Sequence, residues 1–147
     1  MSDAYRVALR TVGSGPTALG SAGPFTLVAD RPASSGGGGL GFNGGQLLYL
    51  AIAACISNDL YREAAAMGIE LRRVAVQVDG DFPGRGEAST PIVVDVELAG
   101  DAPTARLAEL LDEVDRIAEI PNSIRGTTTV TIRTRRVVGT DEPEEAT

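Results

Sequence analysis

The 147 residues carry 13 basic and 20 acidic side chains, for a net charge of −7, and 43% are hydrophobic. That balance excludes wholesale disorder and argues against a nucleic-acid binder, which needs a basic footprint to displace counterions. The complete absence of histidine removes histidine triads, most zinc sites and the commonest general base, and the single cysteine, Cys55, excludes an internal disulfide framework.

By size the chain reads as one domain, over residues 1–138. Four acids (Asp141, Glu142, Glu144 and Glu145) fall within the last seven residues. Without them the folded body carries nearer −3, so no steering field is expected of it. Residues 139–147 read as an acidic, disordered tail.

In chain order, Tyr5, Val7 and Leu9 alternate with Arg6, Ala8 and Arg10, the period of a half-buried strand. The turn segment Gly13-Ser14-Gly15-Pro16 follows, then a second strand around Phe25, Leu27 and Ala29. Residues 31–45, rich in glycine and serine, read as a loop that is mobile or wrapped over another surface. A helix is expected from about Gln46 to Met67, stopped by Gly68 at the left-handed position. Its first half is apolar on every side and is expected to be buried all round, as a central helix about 33 Å long. Two alternating strands follow, one with Val74, Val76 and Val78 on a face, the other with Ile92, Val94, Val96 and Leu98. They predict an antiparallel sheet with one wet face. Leu107, Leu110, Leu111, Val114 and Ile117 mark a second, amphipathic helix that should stop at Pro121. A last strand spans Thr129–Val138, with Arg133 and Arg135 on one side. The order β-β-α-β-β-α-β gives a two-layer α+β fold with an antiparallel sheet on a long central helix.

The N-terminal residues lack a basic segment followed by an apolar one, and the most apolar run, Leu47–Ile56, is ten residues against the roughly 20 a bilayer needs. A cytoplasmic protein without a membrane span is expected.

Few groups are left to carry chemistry. Cys55, midway along the first helix, is either a small core hydrophobe or a nucleophile, which would need a lowered pKa and access to substrate. The Gly36–Gly45 stretch lacks the spacing of a phosphate loop or a dinucleotide fingerprint. Asp112, Glu113 and Asp115 read as a solvated helix face, and no acidic group has the spacing of a calcium loop. Ser57 and Ser123 have no histidine partner. Pro121-Asn122-Ser123 reads as a helix stop and turn, with Arg125 behind it. Neither a metal nor a cofactor is expected.

Over about residues 5–138 the chain resembles the OsmC/Ohr family of thiol-dependent peroxidases. The likeness is carried by Asp30-Arg31-Pro32 before the glycine loop, by the Leu/Ala-rich helix ending in Ala53-Ala54-Cys55, by Gly68-Ile69 at its exit, and by the element order. The resemblance implies an intertwined homodimer in which Cys55 attacks an organic hydroperoxide and becomes a sulfenic acid. In the family a second cysteine, from a Cys-Pro-x-Ser motif, then resolves it, and an arginine and a glutamate position the reactive thiol. This chain has Ile120 where that second cysteine stands and Gly44-Gly45 where the family has Pro-Glu. Arg10, Arg31 and Arg125 are candidates for the arginine, with Arg125 closest in sequence to the Pro121 motif. The function implied is a one-cysteine peroxidase, with peroxidatic Cys55 and Arg125 as its site residues and an external thiol as resolving partner. The alternative is a catalytically degenerate member that binds a small hydrophobic ligand at the dimer interface.

Overall fold

In the computed structural model, which describes residues 5–142, the alternating segment after Tyr5 becomes strand β1 (Ala8–Thr11). It is followed by β2 (Ala18–Ala22) and β3 (Phe25–Ala29), and the three form an antiparallel sheet in the order β1-β2-β3. Strand β2 is an element more than the expected order contains. Its sequence, Ala-Leu-Gly-Ser-Ala, has no strand-like alternation, and pairing on both edges makes the strand.

The glycine segment after β3 is built rather than loose. Asp30, only 4% exposed, accepts hydrogen bonds from the Thr17 hydroxyl at 2.9 Å and from the amides of Arg31, Gly38 and Leu40 at 2.7, 3.3 and 3.2 Å. Burial opposes its charge, but these four donors outweigh burial and hold the carboxyl below its ordinary value. The chain folds so tightly around this carboxylate that a Cβ on Gly37 would lie 2.0 Å from the Arg31 carbonyl oxygen, and one on Gly41 2.2 Å from that of Val28. Glycine is therefore required for close approach, not for freedom.

Helix α1 (Gly44–Ala66) starts two residues before the expected Gln46. Asn43 and Gln46 set the start: each side chain accepts from the other's backbone amide, both at 2.9 Å, a capping box. Its end is as read, with Gly68 at φ 70° and Ile69 N donating to the Ala64 carbonyl at 2.8 Å. The expectation of burial on every side does not hold. Only the stripe Ile52, Ile56, Asp59, Leu60 and Ala64 is buried, while Leu50 is 46% and Tyr61 50% exposed. One chain supplies packing partners for a single face, and the apolar residues of the other face stay open.

The chain divides into two units after Leu48. In the second, β4 (Leu71–Asp79) and β5 (Ile92–Gly100) pair antiparallel, as expected. Strand β6 (Val130–Val138) pairs with β5 in parallel, which corrects the all-antiparallel expectation. Between them lie α2 (Thr104–Ile117) and α3 (Glu119–Ile124), and this helical crossover brings the chain back in the same direction. Ile92, Val94, Val96 and Leu98 of β5, at most 1% exposed, meet Leu107, Leu110, Leu111 and Val114 of α2, each 0% exposed, in one core with Ile52, Ile56 and Leu60. Each such side chain contributes about 1.5–3 kcal/mol by leaving water.

A β-bulge sits where Ile132 faces Val94 but Thr134 faces Asp95. It separates Arg133 and Arg135, which strict alternation would place on one side. Arg133 pairs with Asp95 and Arg135 with Asp112 and Asp115 of α2. The acids of α2 read as merely solvated are thus ion-paired, with Glu113 also bound to Arg116.

Pro121 does not end a helix. Helix α2 ends at Ile117 because Ala118 turns to ψ 114°, and Pro121 lies in the first turn of α3, where its missing N–H costs nothing. Of the expected acidic tail, residues 143–147 lie outside the described residues. Thr140 N donates to the Ala102 carbonyl at 2.9 Å. Asp141 accepts from both the amide and the hydroxyl of Thr104 at 2.7 Å. It caps α2 from 37 residues away, since Pro103 has no side-chain cap to offer.

Candidate functional site

Cys55 lies on α1 one turn before Asp59 and two before Arg62, a spacing that puts all three on neighbouring positions of one helix face. The thiol is half-buried. Its Sγ lies 3.7 Å from Asp59 Oδ2 and 3.9 Å from Glu119 Oε2, within sulfur hydrogen-bond range of both. Asp59 is 4% exposed, and its other oxygen, Oδ1, receives Arg62 Nη1 at 3.0 Å. Arg62 also reaches Glu63 through Nε at 2.9 Å.

The break at Ala118 completes the cluster from α3. It starts α3 at Glu119, which sets the Glu119 carboxylate and the main-chain amides of Glu119 and Ile120 against the sulfur. Position 120 therefore does lie beside Cys55, as the resemblance implied, but it presents an amide and an exposed isoleucine rather than a second sulfur.

Burial pushes the Cys55 thiol above its ordinary value. The Ile120 amide works downward, and the Asp59 and Glu119 carboxylates push upward again, with the net shift up. Burial likewise raises the Asp59 carboxyl; Arg62 opposes this, Glu119 reinforces it, and the result is again upward. Burial and the neighbouring acids thus favour the protonated sulfur, and the groups within its hydrogen-bond range are carboxyl oxygens of Asp59 and Glu119.

Arg125 is placed elsewhere. Its guanidinium donates to the carbonyls of Val130 and Asp115 at 3.1 and 2.8 Å, to Asn122 Oδ1 at 2.8 Å, and to the Asp115 carboxylate. These contacts brace α2, α3 and the start of β6, and none of them is with Cys55. The arginine of the Cys55 cluster is Arg62. Ser123 donates to the Glu119 carbonyl at 2.6 Å, a helix back-bond consistent with a structural serine. Among the described residues, Cys55, Asp59 and Glu119 are the one group whose ligand atoms, within 4.8 Å of one another, could reach a shared metal ion.

A family model described as OsmC-like protein matches residues 36–133. The chain belongs to the OsmC-like family. Solved structures agree on the fold. An OsmC-like protein from Mycoplasma pneumoniae superposes with a TM-score of 0.77 at 18% identity, over 95% of this chain and 99% of the other. An organic hydroperoxide resistance protein OsmC from Legionella pneumophila gives 0.66 at 18%, over 92% and 97%. The organic hydroperoxide resistance protein OhrB of Bacillus subtilis gives 0.62 at 20%, over 92% and 98%. No curated protein matches the chain in sequence. Among the described residues, no helix of this OsmC-like chain is long and apolar enough to cross a membrane.

Two of the cluster's acids escape a reading of the sequence. Asp59 carries a usable signal, since it stands four residues after the only cysteine on a helix. Glu119 carries none, because only the bend at Ala118 brings it to the sulfur.

Proposed function

We propose that this OsmC-like protein reduces organic hydroperoxides through Cys55 and depends on an external thiol to complete the cycle. Sγ bonds to the distal peroxide oxygen, the O–O bond breaks, and the products are the Cys55 sulfenic acid and an alcohol. Two equivalents of an external thiol then return the sulfenic acid to the thiol, giving a disulfide and water. The observation that carries the reading is the lone sulfur on α1, half-buried, with the Ile120 main chain beside it. A hydroperoxide can approach such a sulfur, and no second cysteine exists in the chain to compete with the external thiol.

A homodimer working in the cytoplasm fits this reading. Val7, Leu9, Phe25, Leu40 and Phe42 are 78, 61, 76, 69 and 44% exposed, a set that monomeric proteins rarely leave bare. Hydroperoxide consumption supported by dithiothreitol or dihydrolipoamide should be present in wild type and lost in Cys55→Ser; equal rates in the two overturn the reading.

A second reading, binding without turnover, draws on an apolar cavity of about 440 Å³ in the first unit, lined among others by Val7, Leu9, Phe25, Leu27 and Leu47. It expects a small hydrophobic ligand to survive purification, visible by native mass spectrometry as added mass.

A further inference from the structure

The Cys55 cluster has a chemical oddity: the nucleophile faces a carboxylate where a cation would activate it. Asp59 Oδ2 lies 3.7 Å from Sγ as a hydrogen-bond acceptor, and the opposite oxygen of that carboxylate is held by Arg62 at 3.0 Å, which favours keeping the first oxygen toward the sulfur. Asp59 is almost fully withdrawn from water, whereas Glu119, 3.9 Å from the sulfur, is open to it. We propose, building on the hydroperoxide reading above, that Asp59 is the catalytic proton carrier of this site: its Oδ2 takes the Cys55 proton as sulfur attacks and returns it to the departing alkoxide.

The step balances. The S–H proton passes to Asp59 as the Sγ–O bond forms on the distal oxygen; the O–O bond breaks heterolytically, sulfur losing two electrons to the peroxide. The alkoxide then takes the proton from Asp59 and leaves as the alcohol, and the carboxylate is restored for the next turn. No preformed thiolate is needed, which suits a thiol held protonated by burial and by two neighbouring acids. A carboxyl raised from its ordinary value is a stronger base toward the thiol proton than an ordinary aspartate, and the return step stays downhill because an alkoxide is a far stronger base than a carboxylate. The charged groups facing Asp59 are Arg62 from α1 and Glu119 from α3, with the Cys55 thiol as its hydrogen-bond donor; Glu63 faces it only through Arg62.

Two reagents separate this role from simple electrostatics. Iodoacetamide expels iodide, which needs no proton, so alkylation reads the thiolate alone. Oxidation by tert-butyl hydroperoxide, with the sulfenic acid trapped by dimedone and weighed by mass spectrometry, needs a proton for the alkoxide. Both are run on the full chain with EDTA present, so that no trace metal spans the cluster. In Asp59→Asn the loss of a nearby negative charge speeds alkylation severalfold, while peroxide oxidation at pH 7 falls at least about tenfold. If both rates rise or both fall together, Asp59 acts only through charge or structure and the assignment is overturned.

Two exposed positions give an independent check. Arg62→Gln moves the acid limb of the oxidation rate to higher pH and Glu119→Gln moves it to lower pH, since the first removes a cation from beside Asp59 and the second an anion. Unmoved limbs in both variants overturn the assignment. Cys55 oxidation in wild type with none of these effects refutes Asp59 alone, whereas no Cys55 oxidation in wild type refutes the hydroperoxide reading together with it.

Discussion

Replacing Glu119 with Gln should make Cys55 more reactive, although a hydrogen-bonding neighbour is weakened. The carboxylate stands 3.9 Å from Sγ, and a thiolate forming there must coexist with it. Two unit charges at that separation repel by about 1 kcal/mol in a water-like medium and about 4 kcal/mol at an effective dielectric of 20. Glu119 is exposed, so the lower figure applies, and about 1 kcal/mol corresponds to roughly a sixfold change in thiolate population at fixed pH. Alkylation of native protein by iodoacetamide at pH 7.5, followed by intact mass, should therefore run about sixfold faster in the variant. The gain should shrink in 1 M salt, where the Debye length is about 3 Å. Glu109→Gln, on the exposed face of α2 beside Arg106, should leave the rate unchanged. An unchanged or slower Glu119→Gln, or an equal gain in Glu109→Gln, would refute the view that local carboxylates hold the thiol protonated.

Other expectations concern the scaffold. Leu110→Ala, at a fully buried position of the core, should cost about 2–5 kcal/mol by urea denaturation without changing the fold seen by circular dichroism. Gly41→Ala forces a Cβ against the Val28 carbonyl and should lower stability by about 1–3 kcal/mol, measurable by the same titration. The Thr104 hydroxyl and amide hold the Asp141 carboxyl below its ordinary value, so its contribution to stability is complete above the unfolded carboxyl value of about 3.9 and fades as pH falls through the lower folded one. Asp141→Ala should accordingly lower the thermal midpoint at pH 7, and its gap to wild type should close in strong acid. Light scattering should give a mass near twice the 15.2 kDa chain, and Phe25→Lys should move it toward one chain.

The elements that the amino-acid order announces are those with a covered and an uncovered side. Strand β5 and helix α2 bury one face each and β4 half-buries one, and their side chains carry that period openly. Strand β2 is held by neighbours on both edges and has no period to display. The direction of β6 cannot be read from alternation at all, because parallel and antiparallel strands share a two-residue repeat; the α2–α3 crossover decides it. The burial of α1 is misjudged for a different reason: composition records which residues are apolar, not how many faces one chain can cover. At the site, Cys55 is legible as the sole thiol, and Arg125 looks plausible from its place after Pro121 but is consumed in bracing Asp115 and Val130. Of the two acids beside the sulfur, Asp59 follows from its place four residues on along α1, but Glu119 depends on a dihedral at Ala118 that no residue type dictates.

The bulge in β6 has an effect beyond sorting two arginines. β6 is one outer strand of its sheet, with a row of backbone donors and acceptors facing outward. An extra residue at Arg133 breaks the even spacing of that row, and Arg133, Arg135 and Arg136, each ion-paired to an acid, add bulky side chains within the same four residues. A strand from another molecule would meet an irregular border crowded with ion-paired arginines, which disfavours in-register pairing along it. The distortion that hands Arg135 to α2 thus also guards the sheet against growing by one more strand, and so against aggregation through that side.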